Sequence, residues 1–138
     1  MRIRFIILSI VIVLTACASS ALRGVLDDFD RSVKEYNNLL ASGKFEQAES
    51  FVTESHREDF NARAKAVRNV HIIDYQILSI NDEIELKGAA TANVQFNYTV
   101  PPDNKVKTLV DNQNWSYVYV KEEGRKRWRL MTLLPEFK

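Results

Sequence analysis

The hydrophobic period of this 138-residue chain changes once, near Arg68, and that change decides the class of fold open to it. Before Arg68, apolar residues recur at three- and four-residue steps. Leu22, Val25, Leu26, Phe29, Val33, Tyr36, Leu39 and Leu40 form one stripe, and Asp27, Asp28, Arg31, Lys34 and Glu35 fill the other face. This is the pattern of a long amphipathic helix. Gly43, following Ser42, stands where such a helix stops. A shorter helix is expected over Lys44–Val52, with Phe45, Ala48, Phe51 and Val52 inward. A third is expected to begin near Ser55, because Ser55 and Glu58 have the form of a capping box. Its buried stripe would be Phe60, Ala64 and Val67.

After Arg68 the period becomes two. His71 to Leu86 reads as a strand with an irregularity at Asn81-Asp82, and Lys87-Gly88 reads as a turn. In Ala90–Val100, Val94, Phe96, Tyr98 and Val100 share one face, and Asn93, Gln95, Asn97 and Thr99 the other. Pro101-Pro102-Asp103-Asn104 is a turn. Val106–Val120 is a further strand, Glu123-Gly124 turns it, and Arg127–Leu134 is the last, stopping at Pro135. Helices first and then four consecutive strands imply an α+β fold: a long N-terminal helix and two short ones packed on a four-stranded antiparallel meander.

The first sixteen residues stand apart. Arg2 and Arg4 precede an apolar run from Phe5 to Leu14. That run is too short for a bilayer core, which takes about 20 residues, and has the size of a signal-peptide core. Leu14-Thr15-Ala16-Cys17 then resembles the lipobox of bacterial lipoproteins: an apolar residue, two small residues, then cysteine. The resemblance implies cleavage before Cys17, a diacylglycerol on its sulfur and acylation of the new amino group. Two or more acyl chains anchor stably where one does not. Lipidation also accounts for Cys17 being the lone cysteine of an exported chain. Ala18-Ser19-Ser20 in place of an aspartate implies, for a Gram-negative cell, the periplasmic face of the outer membrane.

The expected organisation is therefore a cleaved signal at 1–16, a lipidated cysteine and short tether at 17–21, and one domain at 22–138. Four tether residues, Ala18 to Ala21, reach about 14 Å at full extension, so the domain should ride close to the membrane. The whole chain has 19 Lys and Arg against 18 Asp and Glu; without Arg2 and Arg4 the balance is 17 to 18, a formal charge of −1. A nucleic-acid binder would carry a basic surface, so no nucleic-acid partner is expected.

The mature domain also resembles the nuclear transport factor 2-like superfamily, which includes ketosteroid-isomerase-like cones. The residues carrying this are Leu39-Leu40-Ala41-Ser42-Gly43-Lys44-Phe45-Glu46-Gln47-Ala48, a helix end followed by a short helix, and the closing Trp128-Arg129-Leu130. The resemblance implies a curved sheet whose concave face is covered by helices, a pocket at the wide end, and dimerisation through the open sheet face. That shell hosts enzymes, ligand binders and structural modules alike.

Candidate site residues follow from type and position. Asp74, on the alternation of Ile72, Gln76 and Leu78, is the candidate acid; the alternative is a solvent-facing carboxylate. Phe96 and Tyr98 on one strand, and Trp115, Tyr117 and Tyr119 on the next, are candidates for an aromatic ligand pocket. The plainer reading is the core side of the sheet, or half of a dimer interface. Arg125, Lys126, Arg127 and Arg129 form a basic run that could meet anionic headgroups or simply guard a sheet edge. His56 and His71 have no partners at ligand spacing, so neither a metal nor a cofactor is expected. The leading expectation is a membrane-anchored envelope lipoprotein that binds an envelope protein or a small apolar ligand without catalysis. The alternatives are a small cone-pocket acid–base enzyme and an assembly factor of the envelope.

Overall fold

A computed structural model describes residues 2–83 and 87–138, with side chains from Ser20 onward. The side chains of residues 1–19, where the signal segment and the lipidated Cys17 were expected, and the stretch Ile84-Glu85-Leu86 that was expected to finish the first strand, lie outside the described residues. The order is helix α1 (Arg2–Ala41), two 3₁₀ turns (Gln47–Phe51 and Glu54–His56), helix α2 (Arg57–Ala66), then strands β1 (His71–Asp82), β2 (Ala89–Thr99), β3 (Lys107–Val120) and β4 (Arg125–Leu130). The strands form one antiparallel sheet in the order β1-β2-β3-β4. The coarse expectation, α+β with a four-stranded antiparallel meander, is what is observed. Among the described residues no helix is long and apolar enough to cross a membrane.

The chain divides into two units, Met1–Arg31 and Ser32–Lys138. In the first, Asp28 and Arg31 pair across one helical turn at 4.0 Å. The second holds the sheet and its cover. From Ser32 on, α1 presents the buried residues Val33, Tyr36 and Leu40, the spacing that puts side chains on one helix face. The helix stops at Gly43 for a backbone reason. With φ of +70°, Gly43 lets the Lys44 amide reach back to the Leu39 carbonyl at 2.8 Å, and its own amide to Leu40 at 3.0 Å, which satisfies two carbonyls that end the helix.

Several finer expectations shift. The helix expected over Lys44–Val52 is a 3₁₀ turn at Gln47–Phe51, although Phe45, Ala48 and Val52 are buried as expected. The capping box does not form. Ser55 sits inside the second 3₁₀ turn, and α2 starts one residue beyond His56, which makes no side-chain cap bond. The buried stripe Phe60, Ala64 and Val67 does form.

In β1 the irregularity is not at Asn81-Asp82, which pair in register with Thr91 and Ala90; the register shifts lie at Ile72/Asp74 and Ile77/Ser79. Each shift turns the following residues to the opposite face. The last strand starts at Arg125 and ends at Leu130, four residues earlier than expected. Val52 bridges Leu130, and the Thr53 amide takes the Leu130 carbonyl at 3.0 Å. The chain then leaves the sheet and buries Leu134 and Phe137 instead.

Strand alternation separates the two sheet faces. On β2, Ala90, Ala92, Val94, Phe96 and Tyr98 are buried. Between them, Thr91, Asn93, Gln95, Asn97 and Thr99 make an uncharged polar outer face. Side chains bridge across that face: Asn93 donates to Ser79 at 2.8 Å, and Thr108 donates to Asn97 at 2.9 Å.

Candidate functional site

The inner face of β3 is polar in the middle. Alternation back from buried Trp115 places Gln113 and Asp111 on the same face, and both are buried. Gln113 Nε2 donates to Asn37 Oδ1 of α1 at 2.8 Å and to Asp111 Oδ2 at 3.0 Å. Asn37 Nδ2 donates in return to Gln113 Oε1 at 3.2 Å and to the Val33 carbonyl at 2.8 Å. The two amides thus form a reciprocal pair joining helix to sheet, and both Gln113 donor hydrogens are used. Loss of hydration pushes the Asp111 carboxyl up to about 6, against a smaller opposing effect of the Gln113 bond. The Tyr36 phenol, fully buried one residue before Asn37, is pushed well above its ordinary value by the same loss of water and by the Asp111 charge. Its hydroxyl makes no hydrogen bond among the described residues. A carboxyl near 6 can hold or release a proton close to neutral pH.

The five candidate pocket aromatics separate into four environments. Phe96 and Tyr98 pack on Phe137 of the chain's own tail, at ring distances of 5.7 and 4.9 Å. Trp115 lies in the core against Tyr36 and Phe51, at 5.6 and 6.3 Å. Tyr117 stacks on Trp128 at 5.2 Å, with the Lys126 ammonium 6.0 Å above its ring. Tyr119 is 63% exposed and borders a cleft of about 260 Å³ formed with Thr53, Glu54, Arg57, Lys121, Glu122 and Arg129.

The basic run is organised around one carboxylate. Arg125, Arg127 and Arg129 share the outer side of β4 and reach Glu123 at 3.5, 2.7 and 2.9 Å. The hydrogen bond from Arg127 leads the effects that hold the Glu123 carboxyl down at about 2. Lys126 faces the other way, over Tyr117.

Asp74 does not join Asp111. The register shift after Ile72 leaves Asp74 exposed, where it accepts a hydrogen bond from Asn97 Nδ2 at 2.7 Å. Tyr75 and Ile77 turn partly inward instead, and the Tyr75 hydroxyl donates to Asn38 Oδ1 at 2.8 Å. His71 is exposed at the start of β1, and His56 sits in the second 3₁₀ turn with its Nδ1 buried and without a hydrogen-bond partner among the described residues. Among the described residues no three His, Cys, Asp or Glu side chains gather as a metal site would require. Asn37, Asp111 and Gln113 are the residues that sequence reasoning missed. The alternation that picked out Trp115, Tyr117 and Tyr119 reaches Gln113 and Asp111 when extended four residues toward the N-terminus, whereas Asn37 lies on α1 and carries no such signal.

No family model matches the chain, and no curated protein matches it. Among solved structures, the crystal structure of a SEC-C motif containing protein from Psychrobacter arcticus is similar, with a TM-score of 0.60 at 9% sequence identity. The match covers 77% of this chain and 59% of that protein. At that identity the likeness concerns the fold alone.

Proposed function

We propose that this chain is a lipid-anchored lipoprotein of the bacterial cell envelope whose domain is a non-catalytic binding module held close to the membrane. The anchor is read from Leu14-Thr15-Ala16-Cys17 and from the absence of any other cysteine. The fold is read as nuclear transport factor 2-like, a long helix and shorter ones on a curved sheet, and the α+β meander supports that reading. The observation that carries the non-catalytic part is the packing of the candidate pocket aromatics. Phe96, Tyr98 and Trp115, which would line a cone pocket, rest on Phe137, Tyr36 and Phe51. The periplasmic face of the outer membrane follows from Ala18-Ser19-Ser20 in a Gram-negative cell. Exposed Val110, paired with Gln95 of the uncharged β2 row, supports self-association through the outer face, which light scattering measures directly.

The test of the anchor is metabolic labelling with a fatty-acid analogue. Wild type should take up label, and Cys17→Ser should not while folding equally well. Equal labelling of both proteins would remove the proposal. The inner face of β3 favours a second reading, a small acid–base enzyme: Asp111 is buried and accepts from Gln113, and burial pushes its carboxyl up. In that reading Asp111, not Asp74, is the acid, and Asp111→Asn abolishes turnover without affecting labelling of Cys17. Turnover that survives the substitution would exclude it.

A further inference from the structure

The residues after β4 sit in the domain as a bound peptide does. Residues 131–138 form neither helix nor strand. Two side chains of this segment are buried, Leu134 and Phe137. The Phe137 ring has aromatic walls on three sides: Tyr98 at 4.9 Å, Phe96 at 5.7 Å and Phe45 at 6.3 Å. The backbone is held by side chains of other elements rather than by a ladder. Arg63 Nη1 donates to the Leu134 carbonyl at 2.9 Å, and its other nitrogen lies 3.8 Å from Glu136. The Tyr98 hydroxyl and the Lys107 ammonium both donate to the Lys138 backbone oxygen, at 3.1 and 3.0 Å. Side-chain pockets and donors aimed at backbone oxygens are devices that peptide-recognition grooves use.

We propose that residues 131–138 are a displaceable occupant of a peptide-binding groove. Its occupant in trans is an extended segment with an aliphatic residue, two residues of any kind, an aromatic residue and then a backbone oxygen. This rests on the reading of the domain as a binding module and names the partner chemistry of one site on it. Displacement is feasible because the segment has few ladder bonds to break: Met131 donates to Asn114 at 2.7 Å, and Pro135 has no amide to give. Segments held this way open more easily than sheet centres.

The probe is a fluorescent peptide, Leu-Leu-Pro-Glu-Phe-Lys, added to the full chain. Wild type should bind it weakly, because the tethered copy competes at an effective concentration on the order of millimolar. Phe137→Ala empties the aromatic slot and should bind at least about tenfold more tightly. The same peptide with alanine for phenylalanine should lose that gain. A folded Phe137→Ala protein with no gain, or an equal gain for both peptides, overturns the proposal. If Phe137→Ala does not fold, hydrogen exchange on wild type decides. Amides of residues 136–138 should exchange long before those of Val94 and Phe96, and exchange together with them overturns the proposal. Should the peptide fail while a crosslinked envelope partner still depends on the anchored domain, the groove reading falls and the binding-module reading stands.

Discussion

Asp111 makes the stability of the domain depend on pH. Burial raises its carboxyl from 3.8 to about 6, so the folded chain holds that proton more tightly than the unfolded one. The stabilisation is fully present below about pH 4 and is lost as the pH rises through about 6. That difference is worth no more than about 3 kcal/mol. Asp111→Asn should therefore reduce the difference in urea midpoint between acidic and neutral pH, and an undiminished difference would assign the dependence to another group. Asp111 was legible in principle, since it shares the two-residue period of Trp115. It was hidden because a carboxylate on an inward face conflicts with the usual cost of burying charge. Only the amide pair Asn37–Gln113, made by residues 76 positions apart, shows how that face is satisfied. Asp74 failed for the opposite reason, because a register shift does not announce itself in the alternation of side chains.

At the scale of elements, strand identity and order were legible because each turn carries its own chemistry. Pro101-Pro102-Asp103-Asn104, Gly88 and Gly124 all stand where the chain reverses, and Asn104 and both glycines have positive φ. Strand ends were less legible, because Leu130 is claimed by Val52 and Thr53 from far away in sequence. The helix stop at Gly43 gives a clean test. A Cβ there meets nothing within 4 Å, so Gly43→Ala costs only the backbone strain, about 1 kcal/mol, and should lower Tm by several degrees. The β3–β4 hairpin gives another. Glu123 neutralises part of an arginine triad. Glu123→Gln should therefore strengthen sedimentation with anionic vesicles at low salt, an increase that disappears as salt screens it. Unchanged sedimentation would indicate that the triad serves the hairpin and not a surface.

For the whole molecule, long-range contacts complete a structure whose strand pairs are local. The three hairpins each join neighbouring segments, whereas the docking of α1 on β3 closes a 76-residue loop through Asn37 and Gln113. Loop closure of that length is slow compared with hairpin formation. Asn37→Ala should accordingly accelerate unfolding and leave the refolding rate nearly unchanged; slowed refolding would place the helix contact in the folding nucleus.

The same separation has a temporal side. At ordinary synthesis rates of about 5–20 residues per second, Asn37 leaves the ribosome roughly 4 to 15 seconds before Gln113. If residues 1–16 direct export as proposed, the helix travels ahead of the strand that holds it, and the domain cannot lock until almost all of its chain has been made.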